Sequence, residues 1–296
     1  MRRLTAAFFA FMLLLGMASL SGAPVIAQEA WDCSEFPHTP AAPEATPSAE
    51  APVVEAIPFP ENAGDVTIFA AASLTDVFTA IEGDLEAANP GLNLVFNFAG
   101  SQALVTQLSE GAPADVFASA NNSQMNAAVE AGVIAGDPAG FAKNRLAIVV
   151  PADNPAGIES LTDLDNEGLQ LVIAATDVPV GGYARTSICA VQTADVDGDD
   201  FAQLVAANVV SNEANVRNVL AKVALGEADA GIVYETDITA DVVDDVIQIE
   251  IPNEFNVIAS YPIAAVEGGN ADAAAAFISY ILSPEGQARL AEFGFS

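Results

Sequence analysis

The chain is 296 residues long, with 40 acidic and 8 basic side chains, a formal charge of −32 and 52% hydrophobic residues. That length makes one large domain or two ordinary ones, and the apolar content excludes wholesale disorder despite the charge. The charge argues against nucleic acid and anionic membrane surfaces as partners. One histidine (His38) and two cysteines (Cys33 and Cys189) leave almost no room for a histidine-based triad, a poly-histidine metal site or a four-cysteine zinc site.

Met1-Arg2-Arg3, an apolar run over 6–15 and small residues ending at Ala27 form the three regions of a secretory signal. The run is shorter than the ~20 residues of a membrane span. Cleavage is expected after Ala27, giving a signal peptide at 1–27 and an exported chain, periplasmic or associated with the cell surface; an uncleaved anchor is the alternative. Residues 28–64 carry Pro37, Pro40, Pro43, Pro47, Pro52, Pro58 and Pro60, which predicts an extended linker or stalk, with His38 solvated inside it. A disulfide between Cys33 and Cys189 would pin this segment to the folded body; two unpaired thiols are the alternative.

From Asp65 onward strands and helices alternate. An apolar run at 66–71 reads as a strand. Ser73 with Asp76 reads as a capping box opening a helix whose Leu74, Val77, Phe78, Ile81 and Leu85 share one face. A strand at 92–98 is followed by a helix from Ser101 with Leu104, Val105 and Leu108 on one side. A third strand spans 115–118, and Ser123 opens the next helix. The strand at 145–150 begins a second series: a short helical turn at 161–164, a strand at 169–175, a helix starting near Tyr183, a helix carrying Val216, Val219, Leu220 and Val223, and a strand at 231–234. A long strand over 256–266 contains Pro262, and a helix over 272–282 and a shorter one after Pro284 close the chain. The expected class is α/β, with mainly parallel sheets flanked by helices. The extended segments near 145–150 and 256–266 are read as crossings between two lobes, 65–145 plus 258–296 and 146–257.

Four helix starts follow directly on strands, at Ser73, Ser101, Tyr183-Ala184 and 212–216. In open α/β sheets ligands bind at that edge, and a helix start offers unpaired N–H groups at the positive end of a dipole. Such a site holds an anion without lysine or arginine. The global charge is no obstacle, because it is screened over ~10 Å while dipoles at contact distance in a dry cleft are not. Ser73, Ser101 and Tyr234 add hydroxyl donors. Arg185 and Arg217 are expected to point outward or to pair with local acids.

These segments resemble the periplasmic molybdate-binding proteins of ABC transporters, over essentially the whole folded body. Ala70-Ala71-Ala72-Ser73-Leu74 is similar to the family's first oxyanion loop. Phe98-Ala99-Gly100-Ser101 is similar to the second, with Gln102 where a further serine is usual. Val178-Pro179-Val180-Gly181-Gly182-Tyr183-Ala184 resembles the third, and Asn215-Val216-Arg217 with Gly231-Ile232-Val233-Tyr234 the last two. The resemblance implies a two-lobed type II periplasmic-binding fold with a cleft between the lobes. It implies a monomer, without cofactor or catalysis, that takes molybdate or tungstate and passes it to an ABC permease. Carried over, the ligand set is Ser73, Ser101, Ala184, Val216 and Tyr234, with Tyr183 as a further candidate.

A site lined by donors suits a fully deprotonated oxyanion, whereas protonated phosphate needs an acceptor, which Asp177 would supply if it faced the cleft. Sulfate or phosphate is the alternative ligand. An exported serine hydrolase is the rival class, without a folded histidine base or a Gly-x-Ser-x-Gly elbow. Asp195-Val196-Asp197-Gly198-Asp199-Asp200 opens like a calcium loop but lacks the required Gly and Glu, and reads as a solvated acidic loop.

Overall fold

The computed structural model describes residues 31–39, 54–61 and 63–296. The expected signal at 1–27 and the middle of the proline-rich segment lie outside the described residues. Nine strands form one continuous sheet in the order β2-β1-β3-β9-β4-β7-β5-β6, with β8 also paired to β4. The first part holds β1 (Gly64–Ala71), β2 (Leu92–Ala99), β3 (Val116–Ala118) and β9 (Ile258–Val266). The second holds β5 (Leu171–Ala174), β6 (Val209–Glu213), β7 (Ala230–Tyr234) and β8 (Val246–Glu250).

One strand serves both parts. β4 (Ile134–Pro151) pairs antiparallel with β9 up to Arg145, then with β7 and β8 from Leu146 onward. Its later residues Leu146, Ala147, Ile148, Val149 and Val150 are all fully buried, so the apolar run has no polar face to show. Asn256 clasps the crossing, its amide bonding both the N–H and the carbonyl of Leu146. Pro262 does not break β9: its carbonyl accepts from Ser119 N–H, and neighbouring irregularities in β4 absorb the missing ladder bond. Parallel pairing joins β1 to β2 and β3, and β5 to β6 and β7. The predicted two-lobed α/β class is therefore present.

The helices cover the sheet through the expected stripes. In α1 (Thr75–Ala88), Val77, Phe78, Ile81 and Leu85 are buried, and the Phe78 ring meets those of Phe96, Phe141 and Phe277. In α6 (Val216–Ala224), Val216, Val219, Leu220 and Val223 are buried. Each such side chain contributes roughly 1.5–3 kcal/mol of transfer free energy. The other helices are α2 (Ser101–Ser109), α3 (Asn122–Glu130), α4 (Pro179–Thr193), α5 (Phe201–Asn208), α7 (Ala271–Leu282) and α8 (Pro284–Glu292). β6, β8 and α5 are absent from the sequence reading; all three are short, and β8 and α5 follow acidic turns.

Two expectations about the leading segment change. It is not simply an extended stalk: residues 31–39 dock on the second lobe and 54–61 on the first. Cys33 is bonded to Cys189 in α4, with Cα atoms 5.3 Å apart. The Trp31 ring lies 5.0 Å from the Arg185 guanidinium, and its carbonyl accepts from Gln203. His38 is held rather than solvated, its Nε2 lying 2.8 Å from the Glu254 carbonyl oxygen. Further along, Ile57 N–H donates to Ser279 Oγ.

Candidate functional site

A small hollow lies where the carboxyl ends of β1, β2, β5 and β7 approach one another. Ala71, Ala72 and Ser73 line it from the first loop, Ala99, Gly100 and Ser101 from the second, and Ala120 from the third strand's exit. Val178, Pro179 and Val180, Asn215 and Val216, and Tyr234 line it from the other lobe. It encloses about 210 Å³ of unfilled space, its mouth included. None of these lining residues carries a charge.

Ser73 lies not in a capping box but in a 3₁₀ turn, Ala72–Leu74, that precedes α1. Its Oγ is 2.9 Å from Tyr261 Oη. Asp76, expected to cap α1, instead reaches across the cleft to Arg217. Ser101 is the first residue of α2, fully buried, and its Oγ accepts from Ala120 N–H at 3.1 Å. The preceding Gly100 has no room for a Cβ, which would run into the Ala214 carbonyl of the opposite lobe. A tight backbone approach therefore fixes this position as glycine.

The third loop corrects the sequence reading. α4 begins at Pro179, four residues before the predicted start near Tyr183. Pro179 at N1 needs no N–H, and the amide of Val180 follows it within the first turn, before intrahelical acceptors begin. Ala184 lies deeper in the same helix, buried, where its N–H belongs to the helix ladder, and it is not among the lining residues. Val180 lines the hollow, and Ala184, named by the resemblance, does not. The signal was present in the sequence as a proline directly after a strand–loop. Gly181 completes the turn, because a Cβ there would overlap the carbonyls of Ala174 and Ala175.

Val216 is the first residue of α6, capped by Asn215, whose side chain accepts from Asn218 N–H at 3.0 Å. Tyr234 ends β7, is 1% exposed, and its hydroxyl has no hydrogen-bond partner among the described residues. Burial pushes its pKa well above the ordinary phenol value, so it is a neutral donor. Tyr183 is half-buried outside the hollow, with its hydroxyl against the Ser260 backbone, and burial pushes it up to about 12.

Arg185 departs from expectation, whereas Arg217 pairs with acids as expected, on both sides of the cleft. Arg185 is buried, and its Nη1 donates to the carbonyls of Ala174 and Gly181, each at 2.8 Å, while Nη2 donates to Asn212 Oδ1 at 2.6 Å. One guanidinium thereby ties the third loop to the strand that feeds α6. Burial pulls its pKa down to about 10, with Asp177 opposing, so it stays charged at neutral pH. Arg217 bonds Asp76 and the Ala72 carbonyl across the cleft, and its Nε lies 3.1 Å from buried Asp237. Asp237 in turn accepts from the Tyr234 N–H at 3.1 Å. Burial raises the Asp237 pKa to about 6, with Arg217 pulling the other way. Gln102 bridges the lobes as well, donating to Ala214 O at 2.9 Å, and Gln124 donates to Asp177 O at 2.9 Å. Asp177 itself is exposed and does not face the hollow. The acidic stretch 195–200 forms the turn between α4 and α5, and among the described residues no cluster of acidic, histidine or cysteine side chains is arranged to hold a metal ion.

The family model described as bacterial extracellular solute-binding protein matches residues 66–296. The chain belongs to this family. It is 39% identical over 237 residues to the molybdate-binding protein ModA of Mycobacterium tuberculosis, covering 80% of this chain and 86% of that one. It is 32% identical over 242 residues to ModA of Escherichia coli, covering 79% and 89%. Among solved structures, the periplasmic molybdate-binding protein of Azotobacter vinelandii superposes with a TM-score of 0.65 at 18% identity, covering 78% of this chain and 98% of that one. The type II periplasmic-binding fold is thus shared even at this low identity. Among the described residues no helix is long and apolar enough to cross a membrane.

Proposed function

We propose that this protein is an extracytoplasmic solute-binding protein that captures molybdate or tungstate and delivers it to the permease of an ABC transporter. The observation that carries this reading is a single uncharged hollow receiving three α-helix starts, two serine hydroxyls and an unpartnered buried tyrosine hydroxyl. The ligand set is Ser73, Ser101, Val180, Val216 and Tyr234. Helix-start amides and neutral hydroxyls stabilise a dianion without a counter-cation, and with Asp76 and Asp177 turned elsewhere no carboxylate faces the hollow to accept from a protonated anion.

The lobes are divided at 145/146 and 257/258, where the pairing of β4 changes partners. A cleaved signal at 1–27 exports the chain, which acts as a monomer and closes on its ligand by hinge motion. A hydrolase reading gains no support: each serine Oγ is already engaged, and His38 sits on Glu254, outside the hollow.

Calorimetry with molybdate, tungstate, sulfate and phosphate side by side tests the proposal. Molybdate and tungstate should bind tightest, and the Ser73→Ala/Ser101→Ala double variant should stay folded and lose that binding. Undiminished molybdate affinity in the double variant would remove these serines from the site.

A further inference from the structure

The family match begins at residue 66, yet the segment 31–39 that precedes it is built into the second lobe. Trp31, Cys33 and Phe36 pack against the core, and three links hold the segment in place. Cys33 is bonded to Cys189 in α4, the Trp31 carbonyl accepts from Gln203 at 2.8 Å, and His38 Nε2 lies 2.8 Å from the Glu254 carbonyl oxygen. The docked segment meets Arg185, one turn before Cys189 on α4. The Arg185 guanidinium is buried, and its hydrogen bonds go to neutral oxygens: the Ala174 carbonyl at the end of β5, the Gly181 carbonyl in the first turn of α4, and Asn212 Oδ1 in β6. Its Nε has no hydrogen-bond partner among the described residues. The Trp31 ring covers the guanidinium instead, with 5.0 Å from Cζ to the ring centre, well within cation–π range.

We infer that Trp31 is a positioning residue for the anion site: held by the disulfide, it keeps the Arg185 guanidinium in place, and Arg185 fixes the helix starts at Val180 and Val216. The inference rests on the oxyanion-binding reading. Gly181 follows Val180 directly, and Asn212 lies on the strand that leads into Val216. One cation therefore ties together two of the backbone segments that line the hollow. A buried cation bonded only to neutral oxygens needs further groups to offset its lost hydration, and an aromatic face supplies attraction while excluding water. Without the ring, water reaches the guanidinium and competes with the Ala174, Gly181 and Asn212 oxygens for its N–H groups. The loop then keeps its fold but loses its fixed position, and backbone amides bind an anion only as well as their backbone is held. A segment outside the family match thereby helps to set the affinity of the site.

Calorimetry with molybdate on the full chain tests this, under conditions where circular dichroism shows each variant to be folded. Trp31→Leu keeps apolar bulk and removes the π face, and affinity should fall about three- to tenfold. Trp31→Phe restores an aromatic face and should recover most of that loss. The Cys33→Ser/Cys189→Ser variant frees the segment and should weaken binding by a similar factor. Adding Trp31→Leu to it should change the affinity little further, because the bond and the ring act through the same guanidinium. Undiminished molybdate affinity in folded Trp31→Leu, with only its unfolding shifted, overturns the inference and makes the ring a purely structural contact. Equal losses in the Leu and Phe variants, or losses that multiply when the ring and the bond are removed together, overturn it as well. If the unmodified protein binds none of molybdate, tungstate, sulfate and phosphate, the oxyanion reading itself fails and takes the inference with it, a result distinct from undiminished binding in Trp31→Leu.

Discussion

The two lobes build their halves of the hollow by different means. The first lobe presents two hydroxyls, Ser73 and Ser101, each hydrogen-bonded to a neutral group, the Tyr261 hydroxyl or the Ala120 amide. The second presents the helix starts at Val180 and Val216 beside the Tyr234 hydroxyl and supports them with buried charge: Arg185 holds three oxygens around the third loop, and Asp237 holds the backbone of Tyr234 beside Arg217. A hydroxyl can be aimed by its own side chain, whereas an amide is aimed only by fixing the backbone. Fixing a loop at the start of a helix takes strong, directional partners, and a guanidinium offers five donors in a rigid fork. The contrast predicts that the second half is the more sensitive to electrostatic change.

The largest effect should come from Arg185→Met, which leaves the Ala174 and Gly181 carbonyls and Asn212 without their partner. A loss of ~3–5 kcal/mol in urea unfolding is expected, with weakened molybdate binding. A loss below 1 kcal/mol would mean that the loop holds its shape without the arginine.

Next comes the Cys33–Cys189 bond, which closes a long loop and seats Trp31 over the same arginine. The double Cys→Ser variant should lose about 2–4 kcal/mol, read by the same unfolding experiment under non-reducing conditions. Equal stability in oxidised and reduced protein would show that the docked segment adds little.

The pH dependence separates the lobes more sharply. Folded Asp237 holds its proton up to about 6, while the unfolded chain releases it near the ordinary aspartate value of 3.8. Its contribution to stability is therefore full below about 3.8 and declines as pH rises through 6, by ~3 kcal/mol at most. Asp237→Asn should remove that part of the slope, so the stability difference from the unmodified protein should change between acid and neutral pH. A difference that stays flat would place the charge elsewhere.

The smallest effect on folding is expected in the first lobe. Ser73→Ala removes one neutral hydrogen bond to Tyr261 and should cost about 1 kcal/mol, although it should weaken anion binding strongly. A larger folding cost at Ser73 than at Arg185 would reverse the comparison.

Much of this was legible in the residues themselves. The apolar stripes of α1 and α6 repeat at helical spacing, and Ser73, Ser101 and Val216 sit where short loops enter helices. Polar side chains at helix starts announce themselves in a sequence, and Ser73 and Ser101 both line the hollow. That Val180 rather than Ala184 lines the hollow is not legible, because a backbone donor has no side-chain signature. Only the helix boundary identifies it, and boundaries are the weakest part of a sequence reading. Pro179 at N1 is the local mark of that boundary.

The sequence by itself determined the alternation of strands and helices, the uncharged character of the loops and the family, because these depend on local spacing and residue type. The tertiary structure alone decided that Asp76 meets Arg217 across the cleft, that Arg185 turns inward beneath Trp31, and that Asn144 and Tyr261 stand behind Ser73. Those pairs are separated by up to 188 residues. Buried polar groups must find partners wherever the fold brings them, and which partner lies within reach is set by packing rather than by proximity along the chain.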